Sequence, residues 1–169
     1  MPYPVFTAGQ RLTAALLSAM QVNLVRKLSD QTVSNSTTLV NATDLSIPVA
    51  ANATYLVRLR ASYSASTTGD VKFSWTSPSG ATVQRYIIGP TSGTTDTSAT
   101  TVQMRRRSGT ASPAGGDGTA NFSTYQEDIS VQTTGTAGTL QLQFAQNTVD
   151  AANGTILRAD SYIEYLRIA

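Results

Sequence analysis

From Tyr55 to Tyr63 the chain repeats itself every second residue. Tyr55, Val57, Leu59, Ala61 and Tyr63 fall on one parity, and Arg58, Arg60 and Ser62 on the other. A period of two puts alternate side chains on opposite faces of an extended strand, so one face must meet a core and the other water. The same alternation returns in Val71, Phe73 and Trp75 against Lys72, Ser74 and Thr76, and in Leu140, Leu142 and Phe144 against Gln141 and Gln143. Further strands are expected at Thr37–Val40, Leu45–Val49, Val83–Ile88, Thr100–Arg106, Phe122–Thr133 and Thr155–Ile168, divided by turn residues such as Ser77-Pro78-Ser79-Gly80. Apolar residues occupy both parities of the last segment, so both of its faces should be covered. Many strands with no helices between them specify a mainly β chain, an antiparallel β-sandwich or jelly roll. The glycine-rich stretch from Gly109 to Gly118 reads as an exposed flexible loop.

The first thirty residues follow another rule. Residues 1–12 carry two prolines and a turn signal at Ala8-Gly9, as in an extended arm. Thr13 is a suitable N-cap, and Leu17, Met20, Leu24 and Leu28 recur at spacings of three and four, which predicts a helix over residues 14–28. A helix of about 15 residues is marginal by itself, so this stripe needs cover from its own domain or from symmetry mates. The division expected is therefore an anchoring or oligomerising arm and helix over residues 1–29, then a β-sandwich domain over residues 30–169. The four stripe residues are the candidate oligomerisation site.

With 169 residues the chain can bury one sizeable core. Only 13% of residues are charged, and the formal net charge is +2. A surface made from Ser, Thr, Asn and Gln suits an extracellular or particle-bound protein packed against copies of itself. Cys and His are both absent, which removes disulfides, thiol nucleophiles and every His-based acid–base scheme. There is no Gly-x-Ser-x-Gly, phosphate loop or dinucleotide fingerprint. Glu127 and Asp128 are adjacent, so in a strand they point to opposite faces and cannot act on one substrate. No enzyme activity, cofactor or metal site is expected. The start Met1-Pro2-Tyr3-Pro4-Val5-Phe6 lacks a signal-peptide pattern, and no apolar run suggests a membrane span.

Arg105, Arg106 and Arg107 form the one charge cluster. Without a wider basic stripe it argues against nucleic acid and fits a subunit contact, with Glu127 or Asp128 of a neighbour as partner. Trp75 and the tyrosines raise the alternative of a glycan-binding surface, although Trp75 shares parity with core-like Val71 and Phe73.

Several blocks resemble small structural proteins of phages infecting actinobacteria, commonly labelled minor tail proteins or tail or head fibre components. The opening Phe6-Thr7-Ala8-Gly9-Gln10-Arg11-Leu12-Thr13-Ala14-Ala15 is one. Gln31–Val40, Val49–Tyr55 and Gly69–Thr82 follow in the same order, then Thr136–Asn147 and Leu157–Ile163. The resemblance implies a virion structural role and supplies no catalytic residues. The expected partners are further copies of the chain, as a homotrimer, and other virion proteins, with a host cell surface as a further partner. A capsid decoration or head fibre protein and a host-surface glycan-binding module are the alternatives.

Overall fold

A computed structural model describes residues 6–92 and 101–169. A short helix, α1 (Ala14–Ala19), precedes twelve strands: β1 (Asn23–Arg26), β2 (Gln31–Val33), β3 (Val40–Val49), β4 (Thr54–Ala65), β5 (Val71–Thr76), β6 (Thr82–Pro90), β7 (Val102–Ser108), β8 (Ser112–Ala114), β9 (Gly118–Gln132), β10 (Gly138–Ala145), β11 (Thr155–Leu157) and β12 (Tyr162–Arg167). They form two antiparallel sheets. The smaller has the order β3-β10-β5-β8, and the larger runs β1-β12-β4-β9-β6-β7, with β11 joining β4 to β2.

Taken alone, β3 to β10 are an eight-stranded jelly roll. The sheet β3-β10-β5-β8 faces the sheet β4-β9-β6-β7, and all successive strands except the β6–β7 hairpin pass between the two layers, in the double Greek key order. The remaining strands widen the larger layer. β11 and β12 divide one side of β4 between them, β11 beside Tyr63 and Ser64 and β12 beside Tyr55 to Arg60. β1 then extends this sheet along β12.

The core lies between the layers and follows the alternation in the sequence. On β4 Tyr55, Val57, Leu59, Ala61 and Tyr63 are buried, while Leu56, Arg58 and Arg60 face outward. Phe73, Leu142 and Phe144 are fully buried and Trp75 is 8% exposed, as their parity requires. Phe73 from the smaller sheet stacks on Tyr125 of the larger at 4.6 Å and meets the edge of Tyr63 at 5.8 Å. Such contacts add specificity to the area buried.

Five expectations need correction. The helix expected over residues 14–28 ends at Ala19, and Asn23–Arg26 is a strand. Thr13 does cap it, its hydroxyl accepting from the Leu16 amide at 3.3 Å. Beyond Ala19 Asn23–Arg26, with the β-branched Val25, gains more from pairing with the edge of β12 than from a helix of marginal length. Leu24 and Leu28 therefore share no stripe with Leu17 and Met20. The larger sheet also begins before the boundary expected at residue 30. Within it Lys27 is wholly buried, its ammonium held by Gln31 Oε1 at 3.1 Å and by the Thr43 hydroxyl and carbonyl at 2.8 and 3.2 Å. Desolvation pushes its pKa down, against the pull of Asp44 and Asp30.

The segments expected at 37–40 and 45–49 resolve into one strand, β3, which begins only at Val40, runs through 41–44 and carries a bulge where Asp44 takes a positive φ. The Gln141 amide fills the bulge, donating to the carbonyls of Ala42 and Leu45. Conversely, the segment at 155–168 is two strands, because a turn at Arg158–Ser161 moves the chain from one half of β4's edge to the other. Finally, Gly109–Gly118 is not an exposed loop. It contains β8, and Ala114, Gly115 and Gly116 are buried. Gly116 allows this, since a Cβ there would sit 2.4 Å from the carbonyl oxygens of Ala65 and Ser66.

Replacing Phe73 by Ala should cost about 3–5 kcal/mol, as expected for a large aromatic core residue. Urea unfolding of the variant beside the parent chain measures the difference.

Candidate functional site

Two features stand out beyond the apolar core: a buried polar cluster between the sheets and an uncovered face on the larger sheet. The cluster is built on Arg85 of β6 and Glu127 of β9, which are paired and 1% exposed. Both Arg85 Nε and Nη2 donate to the Glu127 carboxylate, the former at 3.0 Å. Arg85 also donates to the carbonyls of Phe73 and Thr110. Glu127 accepts further from the Tyr125 hydroxyl at 2.6 Å and from the Trp75 indole at 2.8 Å. Burial alone would lower the Arg85 pKa, but the hydrogen bond and charge of Glu127, with Tyr125, carry it up. Burial raises the Tyr125 pKa, and the Glu127 charge raises it further. Trp75 and Phe73 belong to one sheet and the other three side chains to its partner, so this network cross-links the layers. Every charge in it is answered, and its role is structural.

This arrangement corrects one sequence expectation. Glu127 is committed to Arg85 inside the domain and is unavailable to arginines of a neighbour. Asp128 alone faces out, as the adjacent-residue argument requires. It pairs with Arg58 at 3.0 Å. Arg105, Arg106 and Arg107 do not form a cluster either. They alternate along β7, whose only partner among the described residues is β6. Arg106 reaches Gln84 Oε1 at 2.8 Å on the outer face, while Arg105 and Arg107 point to the other side. Arg107 Nε is buried without a hydrogen-bond partner.

The outer face of the larger sheet is the more open feature. Leu56, Tyr86, Ile88 and Met104 lie on it and are 50%, 50%, 42% and 77% exposed. Leu24 on β1 extends the apolar surface at 63% exposed. Register explains the grouping, for Leu56 stands between Leu166 and Ser130, and Tyr86 stands between Asp128 and Arg106. A groove of about 340 Å³ opens here, lined by Val22, Leu56, Tyr86, Ser130 and Leu166, among others. Arg58 crosses its floor between Asp128 and, at 3.6 Å, Glu164. The hydrogen bond from Asp128 leads the upward shift of the Arg58 pKa. This face is laid down by the off-phase residues of strands whose other parity fills the core. Leu56 among Arg58 and Arg60 was the signal in the sequence that could have found it.

Of the candidate oligomerisation residues, Leu17 is 49% exposed at the end of α1, and Leu24 and Leu28 are exposed in or after β1. Met20, just past α1, is partly buried. Trp75 is enclosed, so it offers no surface to a sugar. Tyr86 and Phe122 are the more exposed aromatics, and Phe122 lies under the Arg158 guanidinium at 4.9 Å.

No protein-family profile matches the chain, and no curated protein matches its sequence. Among solved structures it is similar to infectious bursal disease virus, Gx strain, at 10% identity and a TM-score of 0.21, over 88% of this chain and 38% of that one. The VP2 subviral particle of the same virus matches at 10% identity and TM-score 0.21, over 99% and 42%. A lipoprotein of Bacteroides thetaiotaomicron matches at 10% identity and TM-score 0.18, over 88% and 83%. The chain thus spans about two fifths of the viral chains it matches.

Removing either member of the buried pair, by Arg85→Met or Glu127→Leu, leaves an uncompensated charge and should cost about 3–5 kcal/mol. The double variant should lose clearly less than the sum. Urea titrations followed by Trp75, the sole tryptophan, read the site directly; additive losses would show that the two residues are not coupled.

Proposed function

We propose that this chain is a non-enzymatic structural component of a bacteriophage virion, a minor tail or fibre protein that displays a jelly roll from an N-terminal anchoring segment. One observation carries the reading. The segment before β1 bears apolar side chains that find no cover on their own domain: Phe6, Leu12 and Leu17 are 41%, 61% and 49% exposed. A six-residue helix has too few internal hydrogen bonds to persist unsupported, so such a segment is suited to ordering against a partner. The block-by-block resemblance to actinobacterial phage structural proteins supports the same role, as does a surface poor in charge. The jelly roll is a common architecture of viral capsid and lectin domains, although a fold alone does not determine function.

In this proposal the chain assembles as a closed trimer, because closure satisfies every copy's apolar segment and leaves no open filament end. Its partners are other copies of itself and further virion proteins, on the tail or on the capsid surface as a decoration or head fibre. Contact with the host surface would fall to the loops of the displayed domain.

Among the described residues no strand begins before Asn23, so a chain shortened to start at Val22 retains every described strand. The truncated protein should keep its fold and be monomeric in light scattering, while the full chain, 17.8 kDa per copy, runs as a trimer. A full chain that stays monomeric at high concentration, and that a cryo-EM map of the particle does not show, would refute the proposal.

A further inference from the structure

We propose that the groove on the outer face of the larger sheet is the docking site for the N-terminal segment of a second copy of this chain. The inference rests on the oligomeric reading above and names the receiving surface, which that reading leaves open.

Donor and acceptor are both present on each copy. The acceptor is the apolar wall of Leu56, Leu166 and Tyr86, with Val22 at its rim. The donor is the stretch from Phe6 to Met20, where Phe6, Leu12 and Leu17 are exposed. α1 makes no extended contact with any strand of its own chain. Docking on the home domain would be part of the chain's own fold, and the fold does not contain it. Asn23 pairs with Tyr165 and Val22 lines the groove, so the segment joins β1 at the groove's rim, at the end of the sheet marked by Leu166. At about 1.5 Å per residue in α1 and roughly 3.3 Å elsewhere, the segment from Phe6 to Val22 spans at most on the order of 45 Å, comparable to the diameter of a domain of this size. That length reaches an adjacent copy.

Charge fits as well. Residues 1–22 contain a single charged side chain, Arg11. The groove carries Arg58 between two carboxylates, Asp128 and Glu164, a triad with one negative charge in excess. An apolar segment with one cation is the complement of an apolar groove with one surplus anion. Exchange around a closed ring fills every groove and leaves no segment unused.

The test exploits the absence of cysteine. Leu17→Cys and Ser130→Cys are made in separate, differently tagged full-length chains, mixed, and treated with a short bismaleimide. A covalent product joining the two tags is expected. A third chain, Leu56→Asp, should keep its circular dichroism, since Leu56 is half exposed, and should self-associate at least about tenfold more weakly, because docking would bury an unpaired carboxylate. If a chain carrying both cysteines closes on itself at dilutions where it is monomeric, the segment covers its own domain and the inference is overturned. An oligomer that forms without the mixed product, and is indifferent to Leu56→Asp, overturns the groove while leaving self-assembly standing. Absence of any oligomer overturns both.

Discussion

The salt link of Arg85 and Glu127 sits where the two sheets could otherwise slide. Apolar side chains hold layers together without specifying their offset, since dispersion and hydrophobic burial are nearly non-directional. A guanidinium with fixed donor geometry is different. It demands the Phe73 and Thr110 carbonyls, both carboxylate oxygens and the Tyr125 hydroxyl at set positions. Trp75 closes the arrangement from the opposite layer through Glu127. Arg85 and Glu127 share the larger sheet and keep each other through any shift of the layers. A shift by one residue would, however, strip the Trp75 indole and an Arg85 N–H of their partners in a dry interior, which costs more than a misfitted methyl group. The β6–β9 register that this pair secures also sets Tyr86 beside Asp128 on the outer face.

Much of this architecture was legible in the residues because a half-buried strand writes its orientation in every second letter. The five inward residues of β4, the Phe73 and Trp75 pair and the Leu142 and Phe144 pair all fell where parity put them. Failures came where local pattern and long-range pairing disagreed. Leu17, Met20, Leu24 and Leu28 satisfy helical spacing, but an open strand edge at β12 competes for Asn23–Arg26, and no local signal reports its existence. The stretch Ser112–Gly116 looks like loop by composition. It is buried because Gly116 admits two carbonyls that no other residue would, a contact with partners some fifty positions earlier. Arg85 and Glu127 are separated by 42 residues, and nothing near either marks it as interior beyond its parity with Val83, Ile87, Ile129 and Val131.

The outer face was the hardest feature to anticipate. Reading a strand for its core means treating the other parity as solvent, and single apolar residues there are ordinary on any protein surface. Their significance arises only when four strands bring Leu56, Leu166, Tyr86 and Ile88 side by side. Patches of that kind mark interaction sites more often than isolated residues do. The paired charges of Arg58, Asp128 and Glu164 on its floor give the face an address as well as an appetite for apolar surface, since a partner must leave them solvated or match them.

The path of β1 has a mechanical consequence. Asn23 lies at the pole of the domain where Thr54 bonds to Ile168 and Ala169, just past β12, so a tether attached to the arm pulls along the strand axis. Ladder hydrogen bonds lie across that axis in antiparallel pairs. Traction therefore loads the Asn23–Arg26 ladder in shear, all bonds at once, where a perpendicular pull would peel them one by one. Behind the ladder the buried Lys27 acts as a bolt, with three hydrogen bonds to Gln31 and Thr43 that must break together before β1 can slide. A domain tethered this way resists drag with its whole terminal strand.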